Sequence, residues 1–561
     1  MAEKHTNYQS ESGNYQAILK HMKKISLLFL FLFSLWAAGN AQQKSSYGLY
    51  TDRDAYVSGE TLLAKVFLPE GVSSSIVSLD LMNLNGTRIT GASLAIQNNQ
   101  AEGYLLLPDS LSTGTYLVRT YQKHNAAKIK TIREIWISSR FDGLEKINQI
   151  KRIVAANRIQ DKETTQIGIT GIEPQYSTNS SFDANIKIDE SLRKELDGDL
   201  LVSVAQTDES FKPITFQLEN NKPGDGIEEK NGILISGTIT DKKTMMPEAE
   251  ITVCLTIPDS IPGFQYYITR KDGRFYFLLD QYFGSVDAVV QCFSNNPAQK
   301  LNMKLDDLYA DAGALPDIAL QPVTEEFKNF MTRNISAGTF RKVFAQEILA
   351  VSASPKKARD TYPYYGKPTR TVDPQLFIDL PNFNEVAKEL LPGVKFRNYN
   401  NEPSLQVLNS YTHNYFEEKP LILIDGIPVR DLNIIMGLGS ADIDRVDILQ
   451  NERFYGDLRF PGIVAIYTTK SDYSMLAESS QLVRLKLETI QLQSKLAEPA
   501  ITEPNIPDLR QVLYWNPKTQ PAENIAVNCR TSTIEGQFKI SVTGKLKDGT
   551  MLYSEKHFEV K

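Results

Sequence analysis

Short runs of alternating apolar residues, each closed by Gly, Pro, Asn or Asp, recur along most of this chain. A period of two with such punctuation restricts it to sheet architectures. Residues 76–82 alternate and run into Asn83-Leu84-Asn85-Gly86, where Asn-Gly supplies the positive φ of a tight hairpin. Gly103-Tyr104-Leu105-Leu106-Leu107-Pro108 then leads to Gly114-Thr115-Tyr116-Leu117-Val118-Arg119. That spacing belongs to β-sandwiches. The expected fold class is mainly β: tandem β-sandwich domains with one small α+β domain.

The start of the chain sets the compartment. Met22-Lys23-Lys24 precedes an apolar run over residues 25–36, followed by Ala37, Ala38, Gly39, Asn40 and Ala41. A basic start, a dozen apolar residues and small residues make a secretory signal cut after Ala41, with Met22 the expected true start. The run is short of the ~20 residues that span a bilayer, and nothing later in the chain is apolar enough for a membrane helix. With 61 Lys+Arg against 67 Asp+Glu, no excess of positive charge points to nucleic acid. An exported protein is expected.

The 561 residues leave room for several domains at about 100–200 residues each. The expected order is an N-terminal extension and signal (1–41), a first sandwich (46–140), a second, degenerate sandwich (150–230) and a third sandwich (231–320). A linker (321–380) follows, with Ser354-Pro355-Lys356-Lys357 inside it. Next come an α+β domain (381–475) and a C-terminal β domain (480–561). In the α+β domain, apolar residues at 383, 386, 387, 390 and 391 have helical spacing that stops at Pro392-Gly393. Leu421-Ile422-Leu423-Ile424 is a strand that breaks at Asp425-Gly426. Residues 442–449 and 462–468 read as two further strands, with Gly462 letting the second begin in a tight loop.

No local pattern announces catalysis. His124, His413 and His557 lack a second His at the spacing of a zinc helix, and no nucleophile elbow or phosphate-binding loop is present. Gly437-Leu438-Gly439-Ser440 reads as a structural turn. Asp197, Asp199, Asp306 and Asp307 do not fit a calcium loop and read as solvated turns. Cys254 and Cys292 fall in one β unit as a candidate pair, and Cys529 stands alone; a buried core role fits all three. Catalytic residues, cofactors and metals are therefore expected to be absent.

Three stretches resemble known modules. Tyr50-Thr51-Asp52-Arg53-Asp54-Ala55-Tyr56-Val57-Ser58-Gly59-Glu60-Thr61 resembles the opening of the second macroglobulin domain of the α2-macroglobulin family, with Asp52, Arg53, Tyr56, Gly59 and Glu60 on the motif. Ser58 replaces that family's usual Pro. Ser236-Gly237-Thr238-Ile239-Thr240-Asp241, Pro247–Val253 and Asp272-Gly273-Arg274-Phe275 resemble the carboxypeptidase-regulatory-like sandwich, which implies a spacer and no peptidase activity.

The third resemblance runs through Pro392, Gly393, Asp425, Gly426, Pro428, Tyr455, Gly456 and Gly462. In that order these positions are similar to the plug domain of TonB-dependent outer-membrane receptors. Only 91 residues follow Lys470, whereas about 22 barrel strands of roughly 9–11 residues need some 200. A plug-like domain without its barrel is expected. The segment opening at Ile506-Pro507-Asp508-Leu509 is similar to exported bacterial proteins that combine macroglobulin-like domains with a solitary plug.

Together the resemblances imply a non-enzymatic envelope protein in the periplasm, outer membrane or surface of a Gram-negative bacterium. Its expected partners are outer-membrane or other envelope proteins. It would bind through exposed loops around Asp425-Gly426 and Gly437–Ser440, with the sandwiches as spacers. The alternatives are a macroglobulin-like protease-binding protein without a thioester, since no cysteine is followed by Glu-Gln at the required spacing, and a surface adhesin or stalk.

Overall fold

The alternating runs form the expected strands, but the strands do not pair in the expected groups. The computed structural model describes residues 47–72, 74–123, 129–144, 147–219, 229–230, 232–259, 261–280, 282–294, 296, 299–344, 349–353, 362–399, 402–471, 473–497 and 506–561. The signal segment with Ala41, His124 and the stretch 354–357 lie outside the described residues. The fold is mainly β, built from several sheets. No helix of the described residues is long and apolar enough to cross a membrane.

The first sandwich joins a three-stranded sheet (Gly48–Thr51, Thr61–Phe67, Gln100–Leu106) to a larger one. The larger sheet runs Thr215–Glu219, Ile129–Ser138, Gly114–Tyr121, Ile76–Met82, Arg88–Ala95, and Ala55–Val57 lies parallel to Ile129–Ser138. Thr215–Glu219 comes from the stretch expected to build the second sandwich. It pairs here with Phe216 opposite Ile132, and Phe216 is fully buried in this core.

The second sandwich is discontinuous. Ser181–Ile188 alternates strictly, turning Phe182, Ala184, Ile186 and Ile188 inward. It sits between Ile167–Thr170 and Asn524–Arg530. The opposing sheet sets Leu200–Gln206 between Val512–Thr519 and Gly536–Lys545, with Met551–Val560 beyond. Val202 and Val204 share one core with Val527, Phe538, Val542 and Phe558. The stretches expected as a degenerate sandwich and a separate C-terminal domain are thus two halves of one sheet pair. Each half alone has one face with nothing to cover it, which is why the second sandwich reads as degenerate.

The long insertion is feasible because its ends meet: the Gln206 N–H donates to the Gln511 carbonyl at 2.8 Å. Within it, Gly232–Asp241, Arg274–Asp280 and Leu301–Leu305 make one sheet of a third unit. Gly263–Ile268, Thr252–Ile257, Ser285–Phe293 and Leu482–Glu488 make the other. Leu482–Glu488, expected in the C-terminal domain, completes this sheet at its edge.

The α+β unit has a five-stranded sheet ordered Arg370–Val372, Ile443–Tyr455, Leu458–Thr468, Leu421–Ile424, Ile427–Val429. Its helix Phe383–Leu390 is capped by Asn382, whose side chain accepts the Glu385 N–H at 3.0 Å, and it buries Phe383, Val386 and Ala387. Gly462 does not start a strand. It lies inside Leu458–Thr468, the second arm of a long hairpin with Ile443–Tyr455 whose register shifts between Leu449 and Glu452. The bulge takes up the positive φ within a continuous ladder.

The segment 321–380 is more than a linker. Glu325–Val343 is a 19-residue helix whose N-cap Thr324 accepts the Phe327 N–H at 3.2 Å. Its buried stripe is Phe327, Phe330, Met331, Asn334, Ala337, Gly338 and Arg341. The spacing is helical, but half of the stripe is polar or small, so apolar periodicity does not reveal it.

Candidate functional site: a buried ion network between units

The turn between Ala55–Val57 and Thr61–Phe67 folds around its own charges. Asp52 accepts the Leu63 N–H at 2.7 Å, and the Tyr56 hydroxyl lies 2.8 Å from both Asp52 Oδ1 and the Arg53 carbonyl. The Arg53 guanidinium donates to Asp52 and to Glu60, each at 3.1 Å, and also to Gln511 Oε1. Glu60 Oε2 accepts the Val57 N–H at 3.0 Å, while Oε1 receives Arg341 from the long helix. Gly59 has φ +80°, and a Cβ there would strike the Asp109, Arg140 and Lys342 side chains.

Asp52, Arg53, Tyr56, Glu60, Arg341 and Gln511 are all buried. Two guanidiniums face two carboxylates, so the cluster is neutral and each desolvated charge has a partner. Burial pushes the Glu60 carboxyl upward, but the Arg53 and Arg341 charges outweigh it and hold its pKa below the ordinary range. Burial wins at Asp52, whose pKa lies above the usual value despite Arg53 and the Leu63 N–H. The structure thus brings all five macroglobulin-type motif residues together. It adds two that sequence reasoning did not assign: Arg341, with no local pattern around it, and Gln511, within the segment opening at Ile506 but given no role there.

The network closes a junction of three elements. Beside it, Phe327 of the helix lies 5.5 Å from Trp136 and 5.5 Å from Phe211, in a cluster with Val57, Leu144 and Ile150 of the first sandwich region. Ala337, further along the helix, belongs to the core of the second sandwich. One helix therefore touches both sandwiches.

The plug-like motif residues make a second junction, and here the expectation of exposed loops fails. Asp425 is 5% exposed; its carboxylate accepts the Thr468 N–H at 2.8 Å and the Thr468 hydroxyl at 2.7 Å. Gly426 has φ +86°, and a Cβ there would strike Pro262 of the third unit. The Pro428 carbonyl accepts from Gln291 at 3.0 Å. Tyr455 packs against Phe264, Tyr266 and Tyr364, and the Asp457 N–H beside Gly456 reaches the Tyr266 hydroxyl at 2.8 Å.

The remaining motif positions lie inside their own unit. Pro392 offers its carbonyl to Gln450 at 3.2 Å, and the Gly393 carbonyl accepts the Leu408 N–H at 2.8 Å. Of Gly437–Ser440, only Gly437 is exposed; Ser440 Oγ accepts the Leu380 N–H at 2.8 Å. These turns consume their polar groups in packing. Among the apolar side chains this unit leaves in water, Leu376, Phe377 and Ile378 are consecutive, at 78%, 58% and 70% exposure; Tyr411 and Phe454 are exposed elsewhere on it.

The cysteines are unpaired. Cys254 lies opposite Gln291, and Cys292 opposite Val253, on neighbouring antiparallel strands. The one-residue offset turns the two thiols to opposite faces of the sheet. Burial pushes the thiols of Cys254, Cys292 and Cys529 up to about 12, which leaves no nucleophilic thiolate. His413 sits in an exposed turn, and His557 lies 3.4 Å from Glu555. Asp306 is paired rather than simply solvated: it receives Arg274 at 2.7 and 2.9 Å. Among the described residues no group of three or more His, Cys, Asp or Glu is placed to hold a metal ion.

Comparison with protein-family models and with curated proteins yields no match. Among solved structures, a Salmonella alpha-2-macroglobulin reacted with methylamine aligns over 92% of this chain at 9% identity and a TM-score of 0.21. The native E. coli alpha-2-macroglobulin aligns over 93% at 8% identity and the same TM-score. The chain spans about two fifths of their length (39% and 40%). A tandem repeat from the extending region of a large adhesion protein aligns at 9% identity and a TM-score of 0.12, covering 92% of this chain and 98% of the repeat. Overlaps this shallow carry no argument about fold or activity.

Proposed function

We propose that this chain is an exported, non-enzymatic binding scaffold of the bacterial cell envelope, in which the plug-like unit is a fixed part of the frame. The observation that carries this reading is the seating of the Asp425-Gly426 and Tyr455-Gly456 turns on Pro262, Phe264 and Tyr266. Turns committed to a neighbouring unit set geometry and are withheld from outside partners. The apolar loop Leu376–Ile378 stays available on the same unit. The leader-like sequence before Ala41 and the three module resemblances support an envelope location.

The test is site-specific photo-crosslinking in intact cells. A crosslinker at Phe377 should capture a discrete envelope protein, while one at the exposed Lys194 on the helix Glu190–Glu195 should capture none. Failure to crosslink any envelope protein from Phe377 or from other exposed positions removes the binding role.

A macroglobulin-like protease-binding role is the second reading, favoured by the assembly of Asp52, Arg53, Tyr56 and Glu60 into one network within a sandwich. It would operate without a thioester, given three buried thiols. Incubation with elastase or trypsin decides it. Protection of a large protein substrate, with small-substrate cleavage retained, would establish trapping; unchanged cleavage of both rejects it.

A further inference from the structure

The helix Glu325–Val343 has an inverted second half. Its first two turns turn Phe327, Phe330 and Met331 inward, as an amphipathic helix should. From Asn334 onward the inward positions are Asn334, Ala337, Gly338 and Arg341, while Phe340, Val343 and Phe344 stand 56%, 72% and 38% exposed. Asn334 is 2% exposed, and its Oδ1 finds no protein hydrogen-bond partner. The Gln511 Nε2, on the side chain that accepts from Arg53, is likewise buried without one.

Local sequence adds to the weakness. Gly338 sits mid-helix, and the hydroxyls of Thr332, Ser336 and Thr339 bond back to carbonyls four residues earlier. Besides its helical backbone bonds, this half is held by Ala337 in the core of the second sandwich, Arg341 on Glu60 and the exposed Lys342 on Asp109.

We propose that this helix is a strap that opens from its C-terminal end: residues 334–343 detach as a unit, Phe327, Phe330 and Met331 remain seated, and Glu60 is left with Arg53. The inference goes beyond the scaffold reading and does not depend on it, since the motion is a property of the chain alone.

Hydrogen exchange on the full-length mature protein tests it. The amides of 334–343 should share one opening, exchanging at least about tenfold faster than the strand Gly114–Tyr121. A Cβ at Gly338 would lie 3.6 Å from the Val57 Cβ, within disulfide range, so Val57→Cys with Gly338→Cys should lock the strap. Oxidation should return the exchange of 334–343 to that of Gly114–Tyr121, and reduction should release it. If the double variant does not fold, Asn334→Leu should slow the opening by about fivefold or more, because the orphaned amide oxygen is gone. Exchange confined to fraying of residues 340–343, or protection equal to the strand, overturns the proposal.

Discussion

The Tyr455 hydroxyl donates to the Phe264 carbonyl at 3.0 Å, binding the tip of the longest hairpin to the edge strand of the next unit. Phe264 also stacks on Tyr364 with ring centroids 4.3 Å apart. Aromatic area and several hydrogen bonds, those of Asp457 to Tyr266 and Gln291 to Pro428 among them, thus fasten the plug-like unit where exposed loops around Asp425-Gly426 were expected.

Gly426→Ala should loosen that junction. The new Cβ meets Pro262, and the φ of +86° is strained for alanine. A loss of roughly 1–3 kcal/mol is expected, read as a lower Tm with trypsin cleavage appearing between the third unit and the plug-like unit. An unchanged melting curve would show that the turn carries no inter-unit strain.

Removing Glu60 should cost more. Glu60→Ala leaves Arg341 and one arm of Arg53 buried without their carboxylate, worth about 3–5 kcal/mol. Chemical denaturation gives the number. A loss below about 1 kcal/mol would place the network among weak surface pairs.

The same residue gives the junction a defined acid response. Glu60 has a folded-state pKa below its ordinary value of about 4.3, so its contribution is complete above that pH and fades as pH falls through the lower folded value. Asp52 opposes it, because a raised folded-state pKa stabilises the fold in acid and weakens it as pH rises. The gap in Tm between the wild type and Glu60→Gln should therefore be wide near neutrality and narrow in acid. A gap independent of pH contradicts this assignment.

The thiols should be silent in the native state. Iodoacetamide at mildly alkaline pH should leave Cys254, Cys292 and Cys529 unlabelled until denaturant is added, when all three react without a reductant. A reductant requirement for labelling would reveal a disulfide.

The discontinuous sandwich makes a prediction about the chain itself. Residues 160–206 joined by a short loop to 511–561 should fold as a cooperative β unit, because Gln206 and Gln511 already meet. Residues 480–561 alone should not, lacking Ser181–Ile188 and Leu200–Gln206 to cover their apolar face. Circular dichroism and melting of the two chains separate these outcomes.

Local physics made the elements legible. Period-two runs marked the strands, Asn-Gly and Asp-Gly marked the turns, and the spacing from residue 383 marked the helix that Asn382 caps. The motif from Asp52 to Glu60 was legible as a group because its residues lie within one turn of chain. Partnership was not. Which strand lies beside Leu200–Gln206, which guanidinium reaches Glu60 and which surface covers Asp425-Gly426 depend on contacts between residues hundreds of positions apart. Alternation says that a strand has a face to bury, and it is blind to what buries it. Only the tertiary structure made one sandwich of two distant halves and turned an expected linker into the helix that joins the sandwiches.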